Sequence, residues 1–364
     1  MKTNQERKPD FNRLRKVLLR EGMPDVVPFY DLFADEVVIS SYTGKDINYH
    51  SLIEFYYKLG YDYCPVWIDM EYGENRILAD DTAEVSKGQR IYADENHGII
   101  ENRDDYNKYV WPDPENWHFR LTPEGTGMDS GSFSSELVDK VGDELPEGMK
   151  LIISLKGIFE SVTYLFSLVP MCFAIYDDPQ LIADVSENVG KRHCEMIRLC
   201  LEKCNRDNIG AVALCEDMGY AQGTFLPPEL MRQYAFPWMK KFVEIVHSYD
   251  IPLLMHACGN LTEVMDDLID YVGIDAKQSY EDKIMPVTEV KKRWGDRIAV
   301  LGGIDIDFLC QATEDQVREH TRNVLNICMK DGGYALGTGN TIPNYVPFNN
   351  YLAMLDEGRK FQIG

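Results

Sequence analysis

Apolar residues are grouped in short runs along the chain, and most runs are followed by apolar positions three and four residues apart. Short apolar runs bounded by turn residues predict buried strands, whereas the three- and four-residue spacing predicts amphipathic helices. Strands that alternate with helices indicate a parallel sheet, because each parallel pair needs a long crossover connection. Eight runs predict strands: Val26–Phe29, Tyr63–Ile68, Leu151–Leu155, Gly210–Leu214, Pro252–His256, Gly273–Ala276, Ile298–Leu301 and Gly333–Leu336.

The helical signals are clearest in the second half of the chain. Apolar residues from Leu261 to Val272 fall on one face of a helix, with Asn260 available as its N-cap. Thr313 and Gln316 have the spacing of a capping box ahead of another amphipathic stretch. These signals place helices between the last predicted strands, as the alternation requires.

Eight βα units are enough to close a barrel, so the sequence predicts an α/β fold with a single (β/α)8 TIM barrel domain over residues 1–364. An open doubly wound sheet is the alternative, although the first βα turn lacks a Gly-rich phosphate loop. The stretch 71–150 is longer than one crossover helix. It predicts an insertion after the second strand that covers the barrel mouth as a lid.

Charge and cysteine content restrict the class of protein. The chain has 37 Lys and Arg against 60 Asp and Glu, a formal net charge of −23. This balance argues against binding to nucleic acid or to an anionic membrane, which requires clustered basic residues. Nine cysteines without framework spacing indicate a reducing compartment, and the polar N-terminus lacks the apolar centre of a signal peptide. We therefore expect a cytoplasmic protein.

His256 and Cys258 are the strongest candidates for chemistry, because active sites of barrels lie where the strands end. Residues two apart in an extended chain point to the same side, so the imidazole and the thiol face the same space. Nitrogen and sulfur ligands of this kind suit zinc. The alternative is that Cys258 packs in the core while His256 hydrogen-bonds a neighbouring carboxylate.

Glu216 and Asp217 end the preceding strand and are expected to lie beside His256. A carboxylate there could complete a metal shell, orient the imidazole or act as a general acid or base. The alternative for either residue is an ion pair or a helix cap. Neighbouring residues of a strand face opposite sides, so only one carboxylate is expected to reach the metal. Asp217 is favoured because it begins the turn into Met218.

Three segments at predicted strand ends carry a resemblance to a known family. His256-Ala-Cys-Gly-Asn-Leu, Leu301-Gly-Gly-Ile-Asp-Ile and Gly337-Thr-Gly-Asn resemble the uroporphyrinogen decarboxylase superfamily, most strongly from about Asp217 to Arg359. The resemblance implies the (β/α)8 barrel. It also implies one of two activities: decarboxylation in tetrapyrrole synthesis, or zinc-dependent methyl transfer to and from corrinoid proteins.

The missing arginine motif and the His-x-Cys pair favour the methyltransferase branch, whereas Thr338 departs from the pattern of that branch. The decarboxylases carry an arginine-rich motif of the Arg-Gln-Ala-Gly-Arg kind near the N-terminus, whereas the matching region Val27–Asp35 has no arginine. The His-x-Cys pair resembles the zinc site of the methyltransferases, whose further cysteine after the eighth strand is replaced here by Thr338. A carboxylate is therefore expected as third ligand, and such a site suits a neutral methyl donor such as a methyl ether.

The resemblance thus implies a methyltransferase that moves a methyl group between a small methylated substrate and a corrinoid protein, with a zinc Lewis acid at the barrel mouth. The alternatives are a metal-free decarboxylase-like lyase and a non-catalytic binder of a tetrapyrrole or corrinoid. The candidate residues are Asp217 and Glu216 for catalysis, His256 and Cys258 for the metal, and Asn260, Tyr280 and Asn340 for the substrate.

Overall fold

The computed structural model describes residues 7–73, 94–123 and 135–363, and the backbone of two strands at 76–80 and 89–93. Strands in this part of the chain include both long core strands and two-residue hairpin strands. They are β1 (Tyr63–Asp69), β2 (Arg76–Asp80), β3 (Gln89–Ala93), β4 (His118–Arg120), β5 (Lys150–Lys156), β6 (Ile209–Cys215), β7 (Gly219–Tyr220), β8 (Gly223–Thr224), β9 (Leu253–His256), β10 (Ala276–Gln278), β11 (Ala299–Leu301) and β12 (Tyr334–Ala335).

One eight-stranded sheet forms the centre of the fold, in the order β12-β11-β10-β9-β6-β5-β1-β4. Neighbouring strands from β12 to β1 are parallel, and β4 pairs antiparallel with β1 at the edge. Strands β2 and β3 form a separate antiparallel pair, as do β7 and β8. The parallel order confirms the predicted α/β class.

The prediction of a strand at Val26–Phe29 is wrong, because Phe29 makes only an isolated parallel bridge to Leu336. The backbone N–H of Tyr30 donates to the Leu336 carbonyl at 2.8 Å, and the Leu336 N–H donates to the Pro28 carbonyl at 2.8 Å. Proline has no N–H to donate, so Pro28 limits the length of a ladder in this segment.

The same segment also contacts β1 through side chains. The Tyr63 hydroxyl donates to the Asp31 carbonyl oxygen, and the rings of Tyr63 and Tyr30 stack with their centroids 5.5 Å apart. The segment therefore lies between β12 and β1, where the first strand of a barrel is expected. Side chains connect this segment to β1, and backbone hydrogen bonds connect it to Leu336 beside β12.

The strand predicted at Gly273–Ala276 begins later than expected, at Ala276. Gly273 has φ of 84° and follows the π-helical turn Asp267–Val272, and its backbone N–H donates to the Leu268 carbonyl. A glycine in this left-handed conformation is a common helix end. The glycine therefore terminates the preceding helix.

Helices connect the strands and pack on the outside of the sheet, where their apolar faces join the strands in one buried cluster. Within the described residues no single helix is long and apolar enough to cross a membrane. The helices are α1 (Phe11–Leu18), α2 (Glu36–Thr43), α3 (Tyr49–Leu59), α4 (Arg103–Lys108), α5 (Ser135–Asp143), α6 (Ile158–Phe166), α7 (Leu168–Asp177), α8 (Pro179–Lys203), α9 (Pro228–Tyr234), α10 (Phe236–His247), α11 (Val287–Trp294), α12 (Ile306–Gln311), α13 (Glu314–Cys328) and α14 (Phe348–Lys360).

The predicted lid segment 71–150 contains β2, β3, α4, β4 and α5. Residues 74–75, 81–88 and 124–134 of this segment lie outside the described residues. Its role as a lid stays a prediction, and so does the assignment of the whole chain to one domain.

Candidate metal centre

The register of three neighbouring strands brings the predicted site residues to one edge of the sheet. Cys215 at the end of β6 pairs with His256 at the end of β9, and His256 pairs with Gln278 at the end of β10. Paired residues of parallel strands point to the same face of the sheet. His256 and Gln278 therefore meet side by side at the carboxyl ends of their strands.

The His256 imidazole is held in one orientation by its neighbours. Its Nδ1 contacts the Gln278 Oε1, while the Gln278 Nε2 donates to the Asn340 carbonyl. The glutamine oxygen only accepts, so Nδ1 carries the proton and Nε2 keeps its lone pair. This Nε2 lies 3.4 Å from the Cys258 sulfur. Burial lowers the pKa of His256, which favours the neutral imidazole that metals bind.

Asp217 completes a cluster with this pair. Ligand atoms of Asp217, His256 and Cys258 all lie within 4.8 Å of one another. The Asp217 carboxylate accepts the backbone N–H of Cys258 at 3.2 Å, which fixes it beside the sulfur. One nitrogen, one sulfur and one oxygen donor are a ligand set that zinc accepts, with a fourth position left for another ligand. Side chains already grouped this closely fit such an ion without rearrangement of the strands.

The surroundings of the Cys258 thiol also suit a metal ligand. Burial raises its pKa to about 12, with the negative charge of Asp217 acting in the same direction. A thiol of this kind stays protonated until a cation displaces its proton. Two donors point at the sulfur, the Asn340 Nδ2 at 3.3 Å and the Ser279 hydroxyl at 3.5 Å.

Glu216 makes the contacts of a helix cap, the alternative to a catalytic role in the sequence analysis. Its carboxylate accepts the backbone N–H groups of Ile158 at 2.6 Å, Phe159 at 3.2 Å and Glu160 at 3.0 Å. These are the first free N–H groups of α6, so Glu216 caps that helix from a neighbouring strand. A Cβ atom at Gly157 would lie 2.1 Å from the Glu216 Cδ, which explains the glycine ahead of the helix.

Thr338, the residue in place of the family's further cysteine, is bound to Asp31. Its backbone N–H and its hydroxyl donate to the Asp31 Oδ1 at 2.8 Å and 2.6 Å. The other Asp31 oxygen contacts the hydroxyls of Tyr61 and Tyr351. Burial raises the pKa of Asp31 to about 6 although these donors oppose the shift. The threonine hydroxyl is thus used inside the fold, and the carboxylate that lies with His256 and Cys258 is that of Asp217.

Of the three predicted substrate-binding residues, Asn340 contacts the Cys258 sulfur through its Nδ2, whereas Asn260 and Tyr280 bond to nearby backbone groups. Asn260 accepts the backbone N–H of Thr262 at 3.1 Å, and the Tyr280 hydroxyl donates to the Lys277 carbonyl at 3.1 Å. Asn260 and Tyr280 line a hollow of about 30 Å³ together with Lys277 and Ser279. Their role in substrate binding stays a prediction.

A larger cavity of about 260 Å³ lies at the ends of β1 and β5, and none of the described residues that line it belongs to the cluster. The rings of Trp67, Tyr72 and Tyr164 line it together with the charged side chains of Asp69 and Lys156. Lys156 pairs in register with Cys215, which in turn pairs with His256. The cavity is therefore about two strand spacings, or ~10 Å, from the imidazole.

Sequence reasoning did not single out Gln278 and Ser279 as site residues. Each follows a predicted strand end, but a glutamine or serine at such a position carries no ligand signal of its own. The contacts with His256 and Cys258 depend on the register between β9 and β10. That register is a property of the folded sheet.

The uroporphyrinogen decarboxylase (URO-D) family profile matches residues 110–361, more than half of the chain. The chain belongs to the uroporphyrinogen decarboxylase family. This confirms the resemblance inferred from the strand-end segments.

Curated relatives include both methyltransferases and a decarboxylase. Methylcobamide:CoM methyltransferase MtaA of Methanosarcina barkeri is 26% identical over 136 residues, which are 37% of this chain and 38% of that protein. Uroporphyrinogen decarboxylase of Bacillus cereus (strain G9842) is 30% identical over 114 residues, 30% of each chain. Methylcobamide:CoM methyltransferase MtbA of Methanosarcina acetivorans is 24% identical over 135 residues, 37% of this chain and 38% of that protein. The matches span less than two fifths of each relative.

A solved structure has the same fold over nearly the whole chain. It is a methyltransferase from Methanosarcina mazei, with a TM-score of 0.68 over 97% of this chain and 99% of that one, at 14% identity. The likeness concerns the fold, and together with the parallel sheet it confirms the predicted TIM-barrel fold.

Proposed function

We propose that this protein is a methyltransferase that moves a methyl group between a small methylated substrate and the corrinoid of a partner protein. In this proposal His256, Cys258 and Asp217 hold a zinc ion at the barrel mouth. The observation that carries the proposal is the cluster of one nitrogen, one sulfur and one oxygen donor within 4.8 Å. The methylcobamide methyltransferases among the relatives support the choice of reaction.

Each residue of the centre has a definable task in this proposal. Gln278 fixes the His256 tautomer, so that Nε2 faces the ion. Asn340 and Ser279 donate to the Cys258 sulfur and draw charge from it. When bound, zinc supplies Lewis acidity towards the heteroatom that carries or receives the methyl group. Glu216 contributes by holding the start of α6 at the rim of the mouth.

The cavity at the ends of β1 and β5 suits a small substrate. Its volume of about 260 Å³ is below the range of about 300–1,000 Å³ that drug-sized ligands occupy. Aromatic side chains on its wall offer flat apolar contacts, and the mixed charges of Asp69, Lys156 and Arg120 suit a polar group. A substrate bound in the cavity would have to span the ~10 Å, two strand spacings, between Lys156 and His256.

The decarboxylase alternative has less support. The region Val27–Asp35 has no arginine. It contributes Asp31 instead, a buried carboxylate bound by Tyr61, Tyr351 and Thr338. A buried acidic group there offers no charge to grip substrate carboxylates.

A methyl-transfer assay with free cobalamin tests the proposal. Zinc-loaded protein is mixed with methylcobalamin and a panel of small thiols, or with cob(I)alamin and a panel of methyl ethers. We expect a zinc-dependent change in cobalamin absorbance that Cys258→Ser and Asp217→Asn abolish and Cys215→Ser retains. The same rate in wild type and Cys258→Ser, or none with any acceptor or donor, would contradict the proposal.

A further inference from the structure

Lys277 is a buried cation beside the metal cluster with an unusual set of partners. Its side chain is 3% exposed. The ammonium donates to the backbone carbonyls of Ala257 at 3.0 Å and Ser279 at 2.8 Å, and lies 4.5 Å from the centre of the Tyr280 ring. Burying an ammonium is costly unless hydrogen bonds replace its water. The carbonyls that supply those bonds belong to the turns that follow β9 and β10.

Ser279 has a backbone conformation that a serine rarely adopts. Its φ is 87°, in the left-handed region where a side chain crowds the backbone. Such strain persists only where surrounding contacts determine it, and it often marks a functional position. Here the strained turn directs the Ser279 carbonyl to the Lys277 ammonium and the Ser279 hydroxyl to the Cys258 sulfur, 3.5 Å away.

The ammonium also holds the other side of the cluster. Ala257, whose carbonyl it binds, lies between His256 and Cys258. One charged group therefore ties the turn that carries the thiol to the turn that carries the hydroxyl donor. The negative charge of Asp217 acts on the same ammonium. Loss of the ammonium would release both turns at once.

We propose that Lys277 is a positioning residue, which holds the strained Ser279 turn so that the Ser279 hydroxyl donates to the Cys258 sulfur. A hydrogen bond to a thiolate withdraws charge from sulfur, so the ion it binds becomes a stronger Lewis acid. The inference rests on the metal site of the proposed function and concerns how that site is tuned.

Lys277→Met is the first variant, with Lys291→Met as its matched control. Lys291 also donates to a backbone carbonyl, that of Gly332 at 2.6 Å, but Gly332 precedes β12 at the opposite end of the sheet. Changes to groups that support metal ligands typically reduce metal affinity by about 10- to 100-fold. We expect a loss in that range for Lys277→Met, measured by competition with a chromophoric zinc chelator, and an unchanged affinity for Lys291→Met.

Ser279 variants separate a positioning role from general destabilisation. Ser279→Ala keeps Lys277 but removes the hydroxyl, so it should shift the sulfur-to-cobalt charge-transfer band of the Co²⁺-substituted protein in the same direction as Lys277→Met. Ser279→Gly accepts the positive φ without strain. In the Ser279→Gly background, Lys277→Met should therefore cost much less zinc affinity than it does in the wild type.

The outcomes distinguish this inference from the proposed function. If wild type binds zinc and both Lys277→Met and Ser279→Ala bind it equally well with unchanged Co²⁺ spectra, the inference is wrong and the metal site stands. A fully additive double variant also overturns it. If the affinity and spectral effects occur but zinc-loaded protein transfers no methyl group, the inference stands and the proposed reaction fails. A wild type that binds neither zinc nor Co²⁺ overturns both.

Discussion

Two adjacent carboxylates, Glu216 and Asp217, provide the sharpest test of how the site is built. We predict that Glu216→Gln lowers folding stability and leaves zinc affinity near wild type, whereas Asp217→Asn lowers zinc affinity and leaves stability nearly unchanged. Glu216 is fully buried and binds three backbone N–H groups of α6. Asp217 is only partly buried, and its carboxylate belongs to the cluster with His256 and Cys258.

The structure gives the size of each effect. Above about pH 8, where the wild-type Glu216 side chain is ionised, the oxygen of Glu216→Gln can still accept the Ile158 and Phe159 N–H groups, but the new amide NH₂ faces the Glu160 N–H. A buried donor left without an acceptor costs about 1–3 kcal/mol of unfolding free energy. In Asp217→Asn the side-chain oxygen can still accept the Cys258 N–H. Stability should then change by no more than about 0.5 kcal/mol, as is usual outside buried networks.

Zinc affinity should follow the reverse order. The amide introduced by Asp217→Asn is a neutral and weaker ligand than the carboxylate. Loss of a direct ligand should therefore lower the affinity further than loss of a supporting residue, which typically costs about 10- to 100-fold. Glu216→Gln should stay close to wild type. Urea unfolding in the presence of a chelator measures stability, and competition with a chromophoric chelator measures zinc affinity. The assignment of Asp217 as the ligand is refuted if the two variants lose zinc affinity equally, or if only Glu216→Gln loses it.

The same contacts give three further expectations. Cys258→Ser should bind zinc more weakly than Asp217→Asn, while Cys215→Ser should match wild type in a zinc titration near neutral pH; equal affinities in all of them would remove Cys258 from the site. Burial raises the pKa of Glu216 from 4.5 to about 8. Between these two pH values the folded chain keeps a proton on Glu216 that the unfolded chain releases. The contribution of Glu216 to the free energy of unfolding is therefore lost as pH rises from about 4.5 to 8. Urea midpoints of wild type and Glu216→Gln should therefore differ in their slope over that pH range, and parallel slopes would contradict the shift. Limited proteolysis within 71–150 should slow when methylcobalamin and zinc are added, whereas an unchanged cleavage pattern would argue against a lid.

Most of the fold could be predicted from the chain because its strands are continuous apolar runs between turn residues. Strands β1, β5 and β6 fall within one residue of the predicted runs. The first predicted strand failed because the apolar run around Phe29 contains Pro28, and a proline shortens a ladder that the residue pattern alone favours. The predicted start of β10 at Gly273 was also wrong. A glycine in the sequence does not show whether it ends a helix or begins a strand, and Gly273 ends the preceding helix.

Only those site residues that are close together in the sequence, His256 and Cys258, could be predicted from the sequence pattern. Cys258 lies two residues beyond His256, just past the end of β9, and this short separation keeps the His256 Nε2 and the Cys258 sulfur 3.4 Å apart. Gln278, Ser279 and Lys277 reach them from the next strand, so their roles depend on a register that no local pattern contains.

Which of the two carboxylates, Glu216 or Asp217, faces Cys258 depends on where strand β6 ends. Strand β6 ends at Cys215, and the Glu216 N–H still donates to the His256 carbonyl at 2.7 Å. Glu216 therefore continues the strand and turns its side chain towards α6, while Asp217 turns towards the sulfur. The sequence left two candidate carboxylates, and the end of β6 places Asp217 beside the Cys258 sulfur and Glu216 at the start of α6.

The zinc content of the purified protein tests the central claim most directly. Untagged protein is isolated without chelator or nickel resin, incubated with zinc, desalted and analysed by inductively coupled plasma mass spectrometry beside Cys258→Ser. The account predicts about one zinc per chain in wild type, as expected for a single three-ligand site, and far less in the variant. Wild type without zinc, or zinc retained equally by Cys258→Ser, would contradict it.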